Sequence, residues 1–183
     1  MIYNWSIFYL ADMKKIESLI RNIPDFPKAG IQFKDITPLL KDPDAVREAV
    51  DAFVSELEGK KIDKVVGIEA RGFFFGMLLA DRLNAGFVPI RKPGKLPYKT
   101  YSENYELEYD INSLEIHQDA IVNGEHVLIH DDVLATGGTA RAACNLIEKM
   151  GGKIVQCNFL MEISFLDGAK KLEKYPLHSL IKY

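Results

Sequence analysis

HVLIHDDVLATGGTAR, residues His126 to Arg141, is the stretch whose reading decides the fold. Its first half is an apolar run with β-branched residues, the pattern of a buried strand. Two consecutive acids follow, Asp131 and Asp132. Thr136-Gly137-Gly138-Thr139 then opens a helical pattern carried by Ala140, Ala143, Cys144 and Ile147. The segment therefore reads as strand, turn and helix N-terminus, with two carboxylates at the strand's C-terminal end. Glycines let backbone N–H groups come close to a ligand, and such groups at a helix N-terminus bind anions, usually phosphate. Thr136 and Thr139 add hydroxyl donors. The acids cannot sit on a phosphate, but as acceptors they suit the hydroxyls of a sugar that carries one. A sugar-phosphate site is one reading. An ordinary βα turn with an acidic cap is the other.

Outward from this stretch, strands alternate with helices. Lys64 to Glu69 and Gly86 to Ile90 read as buried strands, with a helix from Gly72 to Asn84 between them. The helix after Thr139 stops at Gly151-Gly152, and Lys153 to Ile163 is a further strand. Asp167 to Lys174 reads as a short last helix. Upstream, Lys14 to Arg21 is a short amphipathic helix. Asn22 to Gly30 is too rich in turn formers for a regular element, and Ile31 to Phe33 is a short extended piece. A helix starts at Pro43-Asp44 and runs to Leu57, with Val46, Val50, Phe53, Val54 and Leu57 inward. The alternation predicts an α/β domain with a mostly parallel sheet flanked by helices and a site at the strand C-termini. Arg91 to Tyr109 is long and broken by prolines, as a functional loop or lid would be, and Leu107 to Ile116 could form a hairpin.

Composition bounds the rest. The chain has 183 residues, 48% of them hydrophobic, enough for one domain with a core. A net charge of −3 argues against broad binding to nucleic acid or anionic membranes. Cys144 and Cys157 lack metal-ligand spacing and read as buried free thiols in a reducing compartment. The four histidines show no metal spacing either, and His130 reads as a core residue. No dinucleotide-binding G-x-G-x-x-G, P-loop, G-x-S-x-G or H-E-x-x-H motif is present. Met1 to Ala11 is apolar and aromatic, too short to span a bilayer and without the basic start of a signal peptide. It reads either as an extension that packs on the domain or on a partner, or as sequence ahead of a natural start at Met13.

The stretch VLIHDDVLATGGTA resembles the phosphoribosyl pyrophosphate (PRPP) signature of type I phosphoribosyltransferases. Pro24 to Pro27, Phe33 to Pro38, Ala70 to Phe73, Arg91 to Pro97 and Leu107 to Tyr109 narrow the resemblance to the adenine phosphoribosyltransferases, in that family's order and spacing. It covers the chain from about Ile16 onward. The resemblance implies a type I fold with a small hood or lid at about 91–116. Residues 1–13 would be an extension and 14–183 a single domain. It implies purine salvage in the cytoplasm: adenine and PRPP give AMP and pyrophosphate with Mg²⁺ carried by PRPP, on a homodimer.

The resemblance also assigns roles. Ala135, Thr136, Gly137, Gly138 and Thr139 would hold the 5′-phosphate, and Asp131 and Asp132 the ribose hydroxyls. Glu69, Ala70, Arg71, Arg91 and Lys95 would meet the pyrophosphate, with Lys92 beside them. The Glu69–Arg71 turn often carries a non-proline cis peptide in this fold. Ile31, Gln32, Phe33 and Ile163 would form the adenine slot, and Glu108 would handle the proton at the purine N7. Glu108, Arg71 and Lys95 are thus the expected catalytic residues. Plain roles compete: a surface ion pair for Arg71, a solvated basic loop for Arg91 to Lys95, core packing for Phe33 and a surface carboxylate for Glu108. Ala135 stands where enzymes for 6-oxopurines usually carry an acid, which disfavours hypoxanthine and guanine. A relative that uses xanthine or orotate, and a PRPP-binding regulator, are the competing functions.

Overall fold

The computed structural model of this chain describes residues 13–107 and 110–183. The N-terminal run that reads as an extension, and Glu108, lie outside the described residues. The chain divides into two compact units after Ser55.

In the first unit, residues 13–18 form α1, which ends before Arg21 because the chain is then drawn into a strand. Strand β1 (Arg21–Pro24) pairs antiparallel with β2 (Gln32–Asp35), in a register that sets Arg21 opposite Asp35. This corrects the reading of Asn22 to Gly30 as wholly irregular. Tertiary pairing overrides the poor strand propensity of Asn22 and Pro24. The pair is tied by Arg21 Nη2 donating to Asp35 Oδ2 at 2.6 Å. Asp35 also accepts the Thr37 N–H at 2.9 Å. Arg21 first, with Thr37, holds the Asp35 carboxyl down at about 2. Helix α2 (Thr37–Leu40) follows, then α3 (Pro43–Ser55). Asp42 Oδ1 accepts the N–H groups of Asp44 and Ala45 at 3.0 Å and so caps α3. The helix buries Ala45, Ala49, Val50, Ala52 and Phe53, while Val46 and Val54 are only half-buried.

The second unit is built on five strands in the order β4-β3-β7-β8-β9, every neighbouring pair parallel. They are β3 (Lys64–Ile68), β4 (Gly86–Ile90), β7 (His126–Leu134), β8 (Lys153–Glu162) and β9 (Leu177–Lys182). Helix α4 (Gly72–Arg82) connects β3 to β4, and α5 (Gly138–Lys149) connects β7 to β8. Period-2 alternation along β7 sorts its two faces. Val127 and Ile129 join the core cluster with Ala140, Ala143 and Ile147 of α5. His130 points the other way and meets Phe75 of α4, ring centroids 6.3 Å apart. Pro89 lies on β4, an edge strand, where its missing N–H costs no ladder bond. The thiols of Cys144 and Cys157 are buried and free, with sulfurs 3.7 Å apart.

Two sequence expectations change here. Strands β5 (Thr100–Leu107) and β6 (Asp110–His117) form a full antiparallel hairpin, so the piece expected to be irregular is half of it. The segment expected to end in a helix makes two 3₁₀ turns, Ser164–Leu166 and Gly168–Leu172, followed by β9. In the hairpin, strand pairing decides the outcome over local composition. Among the described residues no helix is long and apolar enough to cross a membrane.

His130 gives this fold a pH dependence. Burial lowers its pKa from 6.5 to about 3. Between those values the unfolded chain takes up a proton that the folded chain refuses, so stability falls as pH drops from about 6.5 towards 3 and levels off below. Urea unfolding from about pH 7 to pH 4 should show this slope in the wild type and a shallower one in His130→Leu. Equal slopes would contradict the assignment.

Candidate active site

Three elements of the second unit enclose a cavity of about 330 Å³. The turn after β3 supplies Glu69, Ala70 and Arg71. The end of β7 and the following loop supply the stretch from Asp131 to Gly137, with Thr139 at the start of α5. The hairpin supplies Tyr105, Asn112 and Leu114, and Lys92 stands at the rim.

The loop shows why phosphate suits it. Gly137 is the N-cap of α5, with φ of 75°, and no side chain caps the helix. No acid lies in its first turn. The first N–H groups of the helix therefore keep their capacity for an anion, and the helix dipole favours one there. Thr136, Gly137 and Thr139 border the cavity, while Gly138 is buried in the first turn.

The two acids differ, as opposite orientations on a strand require. Asp132 is buried and paired with Arg71, whose Nε donates to Asp132 Oδ2. Asp131 keeps part of its surface on the cavity, and its Oδ1 accepts the Asp132 N–H at 2.9 Å. Atoms crowded round its carboxyl, then the charge of Asp132, push the Asp131 pKa well above the usual range. Arg71, expected at the pyrophosphate, thus holds Asp132 while also lining the cavity.

Glu69 gathers the cationic loop. Its Oε1 receives Lys95 Nζ at 2.9 Å and Arg91 Nη2 at 3.1 Å, and its Oε2 accepts the Lys92 N–H at 3.0 Å. Burial pushes the Glu69 carboxyl up, but Lys95, the Lys92 N–H and Arg91 outweigh it and hold it at about 2. From the other side Glu115 of β6 accepts the Gly94 N–H at 3.0 Å and exchanges backbone bonds with Arg91. The loop is thereby fixed between β3 and β6. Lys92, not Lys95, lines the cavity itself. The Glu69–Ala70 peptide is cis, as the resemblance implies.

The four residues expected at the base fall in both units. Ile31, Gln32 and Phe33 belong to the first, where Phe33 packs edge-on to Phe26 at 5.2 Å. Ile163 follows β8 in the second. None of the four lines the cavity described above. Sequence reading passed over Tyr105, Asn112 and Leu114. Asn112, Leu114 and Ile116 alternate on one face of β6, and that period-2 signal could have marked them. Tyr105 stands opposite Asn112 in the hairpin register.

Among the described residues no group of three or more His, Cys, Asp or Glu side chains could cage a metal. The oxygen donors present, Asp131 and Asp132, fit a hard cation that arrives on a substrate's phosphates and keeps most of its own ligands.

A parallel sheet with a cavity at its strand ends and an uncapped helix N-terminus beside it defines a class, and comparison narrows it. A family model described as the phosphoribosyl transferase domain matches residues 37–179. The adenine phosphoribosyltransferase of Christiangramia forsetii is 64% identical over 169 residues, which are 92% of this chain and 99% of that protein. The crystal structure of the enzyme from Thermoanaerobacter pseudethanolicus superposes with a TM-score of 0.91 at 54% identity, covering 93% of this chain and 99% of that one. The Saccharomyces cerevisiae enzyme, solved with an imino-altritol bisphosphate and adenine, gives 0.90 at 40% identity, with 93% and 99% covered. The chain belongs to the phosphoribosyltransferase family, in its adenine phosphoribosyltransferase branch. The type I fold expected from the sequence is borne out.

Gly72 governs how closely the two strand ends meet. A Cβ there would stand 2.8 Å from Asp131 Oδ1 and 2.9 Å from the His130 carbonyl oxygen. Gly72→Ala should cost about 1–3 kcal/mol of stability, the usual scale for overpacking. Denaturant unfolding checks it, and an unchanged midpoint would show that the contact yields freely.

Proposed function

We propose that the cavity of the second unit holds the phosphoribosyl half of the family's reaction, with the following division of labour. The chain is a purine-salvage enzyme: it transfers the 5-phosphoribosyl group of PRPP to adenine, giving AMP and pyrophosphate. The observation that carries the reading is the convergence, on one cavity, of an uncapped helix N-terminus, two adjacent carboxylates and a cationic rim.

Backbone groups from Ala135 to Thr139, with the hydroxyls of Thr136 and Thr139, hold the 5′-phosphate. Asp131 and Asp132 take the ribose hydroxyls. Arg71 keeps Asp132 in place and adds positive charge near the leaving group. The Glu69–Ala70 turn, Arg91, Lys92 and Lys95 receive the pyrophosphate. Mg²⁺, carried by PRPP and partnered at most by the two aspartates, would offset negative charge on that leaving group. As the bond from C1′ to the pyrophosphate oxygen breaks and that to the purine nitrogen forms, the ribosyl carbon gains oxocarbenium character. Catalysis is then chiefly positioning and electrostatics. The hairpin with the 91–99 loop covers the reacting centre and limits hydrolysis. Glu108, which lies in sequence between β5 and β6, handles the purine proton. Ile31, Gln32, Phe33 and Ile163 receive the base, and Ala135 leaves no acid to favour a 6-oxopurine.

The enzyme works in the cytoplasm as a homodimer. The free buried thiols support the first statement. The second is supported by an apolar face left exposed on α4 at Phe74, Met77 and Leu78.

Incubation with PRPP, Mg²⁺ and a panel of adenine, hypoxanthine, guanine, xanthine and orotate should yield AMP as the main nucleotide. Turnover of xanthine or orotate without adenine would overturn the base assignment. A double variant, Asp131→Ala with Asp132→Ala, should retain its circular dichroism spectrum and lose PRPP-dependent AMP formation; near-normal turnover would refute the ribose role. Sedimentation should give a dimer, and a deletion starting at Met13 that leaves oligomeric state and stability unchanged would exclude the first residues from the interface.

A further inference from the structure

The phosphate loop is supported from below by a residue far along the chain. After β8 the backbone passes through Asp167, with φ of +56°, into Gly168 at the start of a 3₁₀ turn. A Cβ on Gly168 would stand 2.1 Å from the carbonyl oxygen of Ala135 and 2.9 Å from the backbone nitrogen of Gly137. A Cβ on Gly137 would in turn stand 2.4 Å from the carbonyl oxygen of Gly168. All of these neighbours are backbone atoms, which cannot rotate aside as a side chain can. Each position therefore has room for glycine only, because of the other segment's backbone.

The segment that carries Gly168 is itself strapped along α5. Leu172 is fully buried in the core cluster with Ala140, Ala143 and Ile147. Arg141, in the first turn of α5, places its guanidinium 5.6 Å from the centre of the Tyr175 ring. At the other end of the helix Lys174 pairs with Glu148 at 2.8 Å. The strap is thus held at three points, and its leading residue presses on the loop where Ala135 and Gly137 present their peptide groups.

We propose that Gly168 is a positioning residue for phosphoribosyl transfer. Its backbone fixes the peptide planes from Ala135 to Gly137 so that their N–H groups face the cavity. It acts through the loop and does not touch substrate. The inference rests on the phosphoribose reading of that loop. A glycine needed only for folding would affect stability and leave substrate affinity alone.

The test uses the full chain carrying Gly168→Ala and, separately, Leu172→Ala, which loosens the strap without adding an atom. Steady-state kinetics give KM for PRPP and for adenine. Calorimetry gives affinities for ribose 5-phosphate and for magnesium pyrophosphate, and thermal melts report folding. Gly168→Ala should raise KM for PRPP about tenfold or more, the scale on which small displacements act. It should weaken ribose 5-phosphate similarly, while pyrophosphate affinity and KM for adenine stay within about twofold. Leu172→Ala should shift the same two quantities in the same direction, by about threefold. If Gly168→Ala does not fold, Leu172→Ala decides by these readouts. Folded variants with unchanged KM for PRPP and unchanged ribose 5-phosphate affinity would overturn the proposal, whatever their melting temperature. Equal loss of both ligands would mark general damage and overturn it too. A wild type that binds no ribose 5-phosphate would overturn the reading of the loop, and this inference with it.

Discussion

The site depends on one close approach. Strands β3 and β7 are parallel neighbours, so their C-terminal ends lie side by side. The chain leaving β3 must turn into α4 directly against the end of β7. Gly72 makes this possible, because no side chain could fit between it and the backbone of His130 and Asp131. Once the two ends touch, Arg71 reaches Asp132. A residue expected for pyrophosphate and a residue expected for ribose become one electrostatic unit.

That unit resolves a cost that the sequence alone would leave open. Two adjacent carboxylates in a sheltered place repel each other and lose hydration. The structure treats them unequally: Asp132 is neutralised by Arg71, while Asp131 keeps an elevated pKa and a face on the cavity. Nearby, Glu69 is half-buried, yet three donors from the 91–95 loop keep it ionised. Asp132 and Glu69 thus each have cationic partners, while Asp131 faces the cavity. The uncapped start of α5 keeps its N–H groups for an outside anion.

The same matching explains why the loop from Arg91 to Lys95 has a defined place. Its residues are too polar and too broken by proline to pack on their own. Glu69 grips it from β3, and Glu115 grips it from β6. The hairpin β5–β6 in turn rests on α5, where Asn145 donates to Glu103 at 2.8 Å and the Lys149 ammonium lies 5.2 Å from the centre of the Tyr101 ring. The hairpin and the Ala135–Thr139 loop therefore share one helix as their foundation.

What was legible in the sequence follows from how far apart the interacting residues lie. Strand β7, the glycine turn and α5 are contiguous, so their chemistry could be read from spacing alone. The parallel sheet could be read because β3 and β7 are each followed by a helix that leads back to a further buried strand. Strands β1, β5 and β9 escaped notice because pairing makes them strands, against local content such as Asn22 and Pro24 or the polar run Ser102 to Glu106. Tyr105 escaped with β5, since it reaches the cavity only through the hairpin register. Gly168 is the limiting case: in sequence it is one turn glycine among several, and only its contact with Ala135 and Gly137 ties it to the loop that opens α5.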